Sequence, residues 1–173
     1  EMLLESGKAD LISFARASLA DPDLPRKYAE GRSDKIRLCI GCNQGCISIL
    51  FTNQPIRCLV NPSLGYEGAD EIRPAQAPRR VLVIGGGPAG LEAARGARLA
   101  GHEVVLHERQ DHLGGNFLVG AIPPGKGELT SYISWLGEEL GRLGVPVLLN
   151  SEVTAATIAA ERPDVVVYAA GAR

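Results

Sequence analysis

A chain of 173 residues that is 45% hydrophobic has room for one or two domains with a core of ordinary size. Its net charge of −2 and 5% aromatic content argue against a nucleic-acid partner, which needs a basic face or a stacking platform. No apolar run approaches the roughly 18 residues of a membrane span, and no signal-peptide pattern opens the chain, so a cytoplasmic protein with no membrane partner is expected.

In chain order, "EMLLESGKAD" reads as the end of a helix stopped at Gly7. "LISFA", Leu11 to Ala15, is a short apolar run suited to a buried strand, and Arg16 closes it. "DPDLPRKYAEG" opens a helix, with Asp21 as cap, Pro22 in the first turn and Gly31 as stop. A loop-rich cysteine segment follows. Residues 61–79 carry three prolines and little periodicity, which suggests a linker. From Arg80 onward strands and helices alternate. "RVLVIGGGPAGLEAARGARLAG" is strand, glycine turn and helix, and "HEVVLHE" is a second strand. Residues 109–127 form a long loop, and "ELTSYISWLGEELGRLG" is an amphipathic helix. "VPVLLN", "TAATIAA" and "DVVVYAAG" read as strand, helix and strand. Such continuously apolar strands, separated by helices, imply a parallel sheet covered on both faces. The chain opens on Glu1 and stops just after its last strand, which suggests an excerpt of a longer protein.

All four cysteines fall in one stretch, as C-x2-C-x3-C-x11-C at Cys39, Cys42, Cys46 and Cys58. Two disulfides suit small secreted domains, which this chain does not resemble in composition. Zinc sites usually show two separated ligand pairs. A tight triplet with a remote fourth ligand favours a 4Fe–4S cluster held by four thiolates. Gly41 and Gly45 lie between the ligands, where backbone amides must turn toward sulfide.

The turn "GGGPAG" places G-x-G-x-x-G at Gly85, Gly87 and Gly90, after a strand and at the start of a helix. Gly85 permits the tight turn, Gly87 a close approach of pyrophosphate, and Gly90 the packing of helix on strand. The phosphates would rest on the helix N-terminus. Glu108 ends the second strand, where an acid bonds ribose hydroxyls. A second glycine pair, Gly114 and Gly115, follows in the long loop. His102, His107 and His112 lack ligand spacing, Glu138 and Glu139 read as a solvated face, and Trp135, just off the apolar stripe, reads as packing.

Taken in order, these segments resemble the iron–sulfur flavoenzymes of the 2,4-dienoyl-CoA reductase, 2-enoate reductase and trimethylamine dehydrogenase group. The resemblance covers essentially the whole chain. It implies an α/β architecture with four parts. Residues 1–36 would be the last strand–helix unit of an FMN-binding (β/α)8 barrel, and 37–60 the iron–sulfur segment. Residues 61–79 would be the linker, and 80–173 an incomplete Rossmann-like FAD-binding domain. "FARASLADPDLP" matches the barrel's FMN-phosphate loop, with Ala15 and Arg16 at ligand positions. Cys39, Cys42, Cys46 and Cys58 match the cluster ligands, and the x3 spacing resembles the reductase branch. Gly85, Gly87, Ala89, Gly90, Glu108, Gly115, Asn116, Lys126, Val153 and Gly171 fall in the regions that hold FAD, or ADP in some relatives. Asn116 replaces the more usual Gln, and "AAG" ending at Gly171 replaces Ala-Thr-Gly.

The implied activity moves electrons from NAD(P)H through FAD and the cluster to FMN, then to a small activated alkene such as an enoyl-CoA or 2-enoate. An amine dehydrogenase, with electrons flowing out of the substrate, and a stand-alone electron-transfer module are the alternatives. The family's substrate acids lie in the earlier part of the barrel, so no catalytic residue is assigned in this chain.

Overall fold

A computed structural model describes residues 2–68 and 72–172. The chain divides into two compact units, Glu1–Gly65 and Tyr66–Arg173. Residues 69–71 of the expected linker lie outside the described residues. The described rest of 61–79 forms neither helix nor strand, and the first strand begins just beyond it at Arg80.

The first unit is mostly irregular. Helix α1 (Met2–Glu5) ends before Gly7, whose φ of 66° suits glycine. Leu11 to Ala15 form no strand, contrary to the apolar reading. A strand needs a partner for its backbone amides and carbonyls, and no described residue pairs with this segment. Leu11 is 89% exposed and Phe14 53%. Helix α2 (Arg16–Ala20) follows, then α3 (Leu24–Ala29), which Gly31 ends at φ 70°. The α3 boundary also differs from expectation: Asp23 holds the cap position and Pro25, not Pro22, sits in the first turn.

Asp21 serves a different purpose from a helix cap. Its carboxylate is buried and accepts from Lys27 Nζ at 2.6 Å and from the N–H groups of Arg37 at 2.8 Å and Asp23 at 3.1 Å. Burial pushes this carboxyl upward, but the Lys27 ammonium and the two amides outweigh it and hold it below the usual value. Because the folded value is depressed, the carboxylate's contribution to stability is fully present above the unfolded value of about 3.9. It is lost as pH falls through the folded value. Asp21→Asn is expected to cost the first unit about 3 kcal/mol at neutral pH, since it strands a half-buried ammonium. Urea unfolding at a series of pH values checks both statements: the variant's deficit should shrink on the acid side.

The second unit is a four-stranded sheet in the order β3-β2-β1-β4. Its strands are β1 (Arg80–Ile84), β2 (Glu103–His107), β3 (Val147–Leu148) and β4 (Val165–Tyr168), all parallel. Helix α4 (Pro88–Leu99) connects β1 to β2, and α6 (Glu128–Arg142) precedes β3. The two helices pack on each other, and α4 lies on β1 and β2. Leu82, Leu91, Leu106, Leu136 and Leu140 are fully buried between these elements, each contributing about 2 kcal/mol by leaving water. Trp135 is part of this core: its ring stacks on Tyr132 at 6.3 Å, and Arg95 lies over it at 5.9 Å.

Helix α7 (Ala155–Glu161) is opened by a capping box in which Thr154 and Thr157 satisfy each other's amides. The loop 109–127 is not wholly irregular, since it contains a one-turn helix α5 (Asn116–Val119). Cover on both faces is not complete either. β4 is an edge strand, and Val166 and Tyr168, which share one face with Leu82 and Ile84 by register, are 43% and 77% exposed.

Candidate functional site

The C-terminal ends of β1, β2 and β4 meet at the glycine turn. Gly85 donates its N–H to His107 O at 2.8 Å and has φ 110°, a conformation glycine alone adopts easily. A Cβ on Gly85 would lie 2.4 Å from Ala169 O, and one on Gly90 would lie 1.9 Å from Gly85 O. These two glycines therefore set how closely α4, β1 and the end of β4 approach. Gly87 differs: a Cβ there would meet no atom within 4 Å. It caps α4, with Pro88 first in the helix, so the open space lies where unpaired N-terminal amides point.

Glu108 follows β2 and is only 7% exposed. Its Oε2 accepts from Gly86 N–H at 2.6 Å and its Oε1 from Gln110 N–H at 2.8 Å. The carboxylate thus ties the first glycine turn to the start of the long loop. Each oxygen keeps a second lone pair for a further donor. The second glycine pair docks on the first: Gly114 N–H donates to Gly86 O at 2.8 Å, and a Cβ on Gly115 would stand 3.9 Å from Gly87 Cα. Asn116 starts α5 and donates from Nδ2 to Ala172 O at 3.4 Å.

One cavity is bordered by Gly85, Gly87, Ala89, Glu108, Gly115, Asn116 and Gly171. An adjoining one is bordered by Glu108, Val153 and Gly171. Gly90 lies behind the turn, as its packing role requires. Lys126 is exposed and borders neither cavity; its backbone N–H closes a turn on Pro123 O at 3.2 Å. Sequence reasoning passed over Arg109, which borders both cavities. His107, read from the sequence as lacking ligand spacing, is buried and shares a hydrogen bond of 2.8 Å between Nδ1 and Ser151 Oγ. Two residues on from Ser151 is Val153.

The first unit holds the second candidate site. Cys39, Cys42, Cys46 and Cys58 are free, half-buried thiols that border one cavity. Gly41 at φ 63° and Asn43 at φ 58° curl the backbone around the first two. Cys46 leads into a 3-10 turn over Ile47–Ile49. Gly45 lies against the chain before Cys58: Arg57 N–H donates to Gly45 O, and a Cβ on Gly45 would come within 2.5 Å of Arg57 O. That approach brings the remote fourth cysteine to the triplet. Among the described residues, no three His, Cys, Asp or Glu side chains gather as ligands of a single ion. A 4Fe–4S cube takes its thiolates on four different irons, so four cysteines spread around one hollow fit it.

Arg16 begins α2 and donates from Nη1 to Asn43 Oδ1 at 2.6 Å, so its guanidinium lies beside the cysteine loop. Ala15 precedes it at the helix cap position.

Comparison with known proteins follows this division. Residues 80–143 match the family model described as FAD dependent oxidoreductase. The whole chain is similar to the NADH oxidase of Thermoanaerobacter brockii, at 44% identity over 173 residues, covering 99% of this chain and 27% of that protein. A structure of 2-naphthoyl-CoA reductase with 2-naphthoyl-CoA superposes with a TM-score of 0.95 at 38% identity, covering 99% of this chain and 26% of the other. The histamine dehydrogenase of a Rhizobium superposes with a TM-score of 0.91 at 33% identity, with 99% and 26% covered. The chain thus spans about a quarter of the length of these relatives. The chain is similar to flavin-dependent oxidoreductases, and the likeness to the FAD-dependent family lies in residues 80–143. Within that class the relatives are consistent with the group of the 2,4-dienoyl-CoA reductases and trimethylamine dehydrogenase.

Proposed function

We propose that this chain carries the iron–sulfur segment and the FAD site of an NAD(P)H-dependent reductase acting on an activated alkene. The observation that carries the proposal is the single hollow bordered by Cys39, Cys42, Cys46 and Cys58, in a chain whose second unit matches an FAD-dependent family. With its groups bound, such a protein passes electrons from NAD(P)H by way of FAD, a 4Fe–4S cluster and FMN to an enoyl thioester or enoate. The similarity to a reductase crystallised with a CoA ester supports the alkene side of this reading.

The four thiolates would hold the cluster, and Gly41, Asn43 and Gly45 shape the loop so that the cysteines face inward. In the second unit Gly87 leaves room for the pyrophosphate, the start of α4 supplies amide donors to it, and Glu108 would accept the ribose hydroxyls. Gly115, Asn116 and Gly171 line the same hollow, and Val153 borders the adjoining one. Ala15 and Arg16 would belong to an FMN-phosphate loop at residues 1–36, a barrel's last unit. Lys126, which borders neither cavity, is assigned to FAD on the resemblance alone. A cytoplasmic setting suits thiols kept free for metal.

The test is metal and cofactor analysis of protein purified without oxygen. About four irons, four acid-labile sulfides and one FAD per chain are expected. Stoichiometric zinc without sulfide would overturn the cluster, and FAD failing to bind would overturn the second unit's assignment. A further prediction concerns Glu108→Ala. A hydrogen bond to a charged group contributes roughly 1.5–3 kcal/mol. Losing it at the ribose should weaken FAD binding by about one to two decades, read by calorimetric titration. The same change removes the acceptor for Gly86 and Gln110, so the melting temperature should fall as well.

A further inference from the structure

The hollow bordered by the four cysteines has Arg16 and Arg57 among its lining residues, and no carboxylate among the described residues that line it. Leu19, Ile40, Leu59 and Val60 add apolar walls to it, and Asn43 also borders it. Arg16 is fixed there by its bond to Asn43 Oδ1 at 2.6 Å, formed across 27 residues. Asn43 directly follows Cys42, in the left-handed conformation that asparagine tolerates. The sequence thus places a permanent positive charge on the loop between the second and third cysteines, although Arg16 itself belongs to α2.

We propose that Arg16 sets the reduction potential of the cluster through its charge. This rests on the cluster reading above, and goes beyond the phosphate contact that the resemblance assigns to the same residue. On reduction the cluster takes one electron from the donor; no bond is made or broken and no proton moves. The group, already anionic from four thiolates, becomes more negative by one charge. A fixed cation at its edge favours the more negative state and raises the potential, and the apolar lining keeps the interaction from being fully screened. Since Arg16 also has an exposed flank, a moderate effect is expected.

The experiment is a dithionite redox titration of the anaerobically purified chain, followed by absorbance and electron paramagnetic resonance, after iron and sulfide have been counted. In Arg16→Gln the ratio of reduced to oxidised cluster at fixed potential should fall about tenfold, a downward shift of about 59 mV for a one-electron couple. Arg16→Lys keeps the charge and should titrate close to the parent. Asn43→Asp keeps the size and the tolerated backbone but neutralises the arginine, and should shift downward like Arg16→Gln. Equal potentials in fully loaded parent and Arg16→Gln protein would overturn the proposal. So would a shift in Arg16→Lys as large as that in Arg16→Gln, which would mean that geometry acts and not charge. If Arg16→Gln does not retain iron, Asn43→Asp decides, and an unshifted potential there overturns the proposal. A parent chain without iron and sulfide removes the cluster reading itself, and the metal count shows this before any titration.

Discussion

Gly90→Ala is expected to disrupt the second unit, whereas Gly87→Val should leave it folded and unable to bind FAD. The two glycines belong to one motif, but they face different things. A methyl group on Gly90 would sit 1.9 Å from the Gly85 carbonyl oxygen, which is backbone at the tightest point of the turn and cannot rotate away. Relieving that clash means separating α4 from β1, where Leu82, Val83 and Leu91 are fully buried. Overpacking of this kind costs on the order of 3 kcal/mol or more. For a unit of this size that corresponds to a fall in melting temperature on the order of 15 °C. Gly87, in contrast, has an ordinary φ of −75° and nothing within 4 Å of a Cβ. A valine is compatible with both the backbone and the surrounding protein. What it would meet is a bound pyrophosphate, and the expected loss is about 100-fold in affinity, near 3 kcal/mol. Melting curves with and without FAD separate the outcomes: Gly90→Ala lowers the baseline temperature, and Gly87→Val removes only the ligand-induced rise. Retained FAD affinity in Gly87→Val would mean that the dinucleotide does not cross this turn.

The second unit was largely legible because its signals are local. Five-residue apolar strands, a glycine turn and a helix stripe each repeat with their own period, and the structure contains β1, α4, β2, α6, α7 and β4 where those periods place them. The failures share one cause, dependence on partners that periodicity does not encode. Leu11 to Ala15 has strand composition, but among the described residues no strand pairs with it. Asp21 has the composition of a cap, yet its carboxylate is claimed by Lys27 and by an amide sixteen residues away. The place of Glu108 just after β2 was legible in the sequence. Its bonds to Gly86 and Gln110 were not, because they depend on the turned-back path of two loops. The bond between Arg16 and Asn43 is likewise invisible in a sequence, where 27 residues separate them.

Gly45→Ala is expected to abolish binding of the proposed 4Fe–4S cluster without altering any of the four cysteines proposed to hold it. The cysteine triplet is local, since Cys39, Cys42 and Cys46 lie on eight consecutive residues. Cys58 is not local, and it reaches the shared hollow because the chain before it runs against Gly45. There Arg57 donates its N–H to Gly45 O, while a Cβ on Gly45 would lie 2.5 Å from Arg57 O and 2.8 Å from its carbonyl carbon. Both obstructing atoms are backbone, so the strain must be relieved by moving the segment that carries Cys58 away from the triplet. A cube with one corner displaced loses a thiolate ligand, which is the chemical consequence of Cys46→Ser reached by another route. Gly41→Ala is the control: its Cβ would meet nothing within 4 Å, so only the left-handed φ of 63° opposes it, at a cost of about 1 kcal/mol. Iron and sulfide counts after anaerobic purification should therefore be near four for the parent, slightly lower for Gly41→Ala, and depleted in both Gly45→Ala and Cys46→Ser. A fully loaded Gly45→Ala protein would show that Cys58 is not brought to the site by this contact, and would leave the fourth ligand to be found elsewhere.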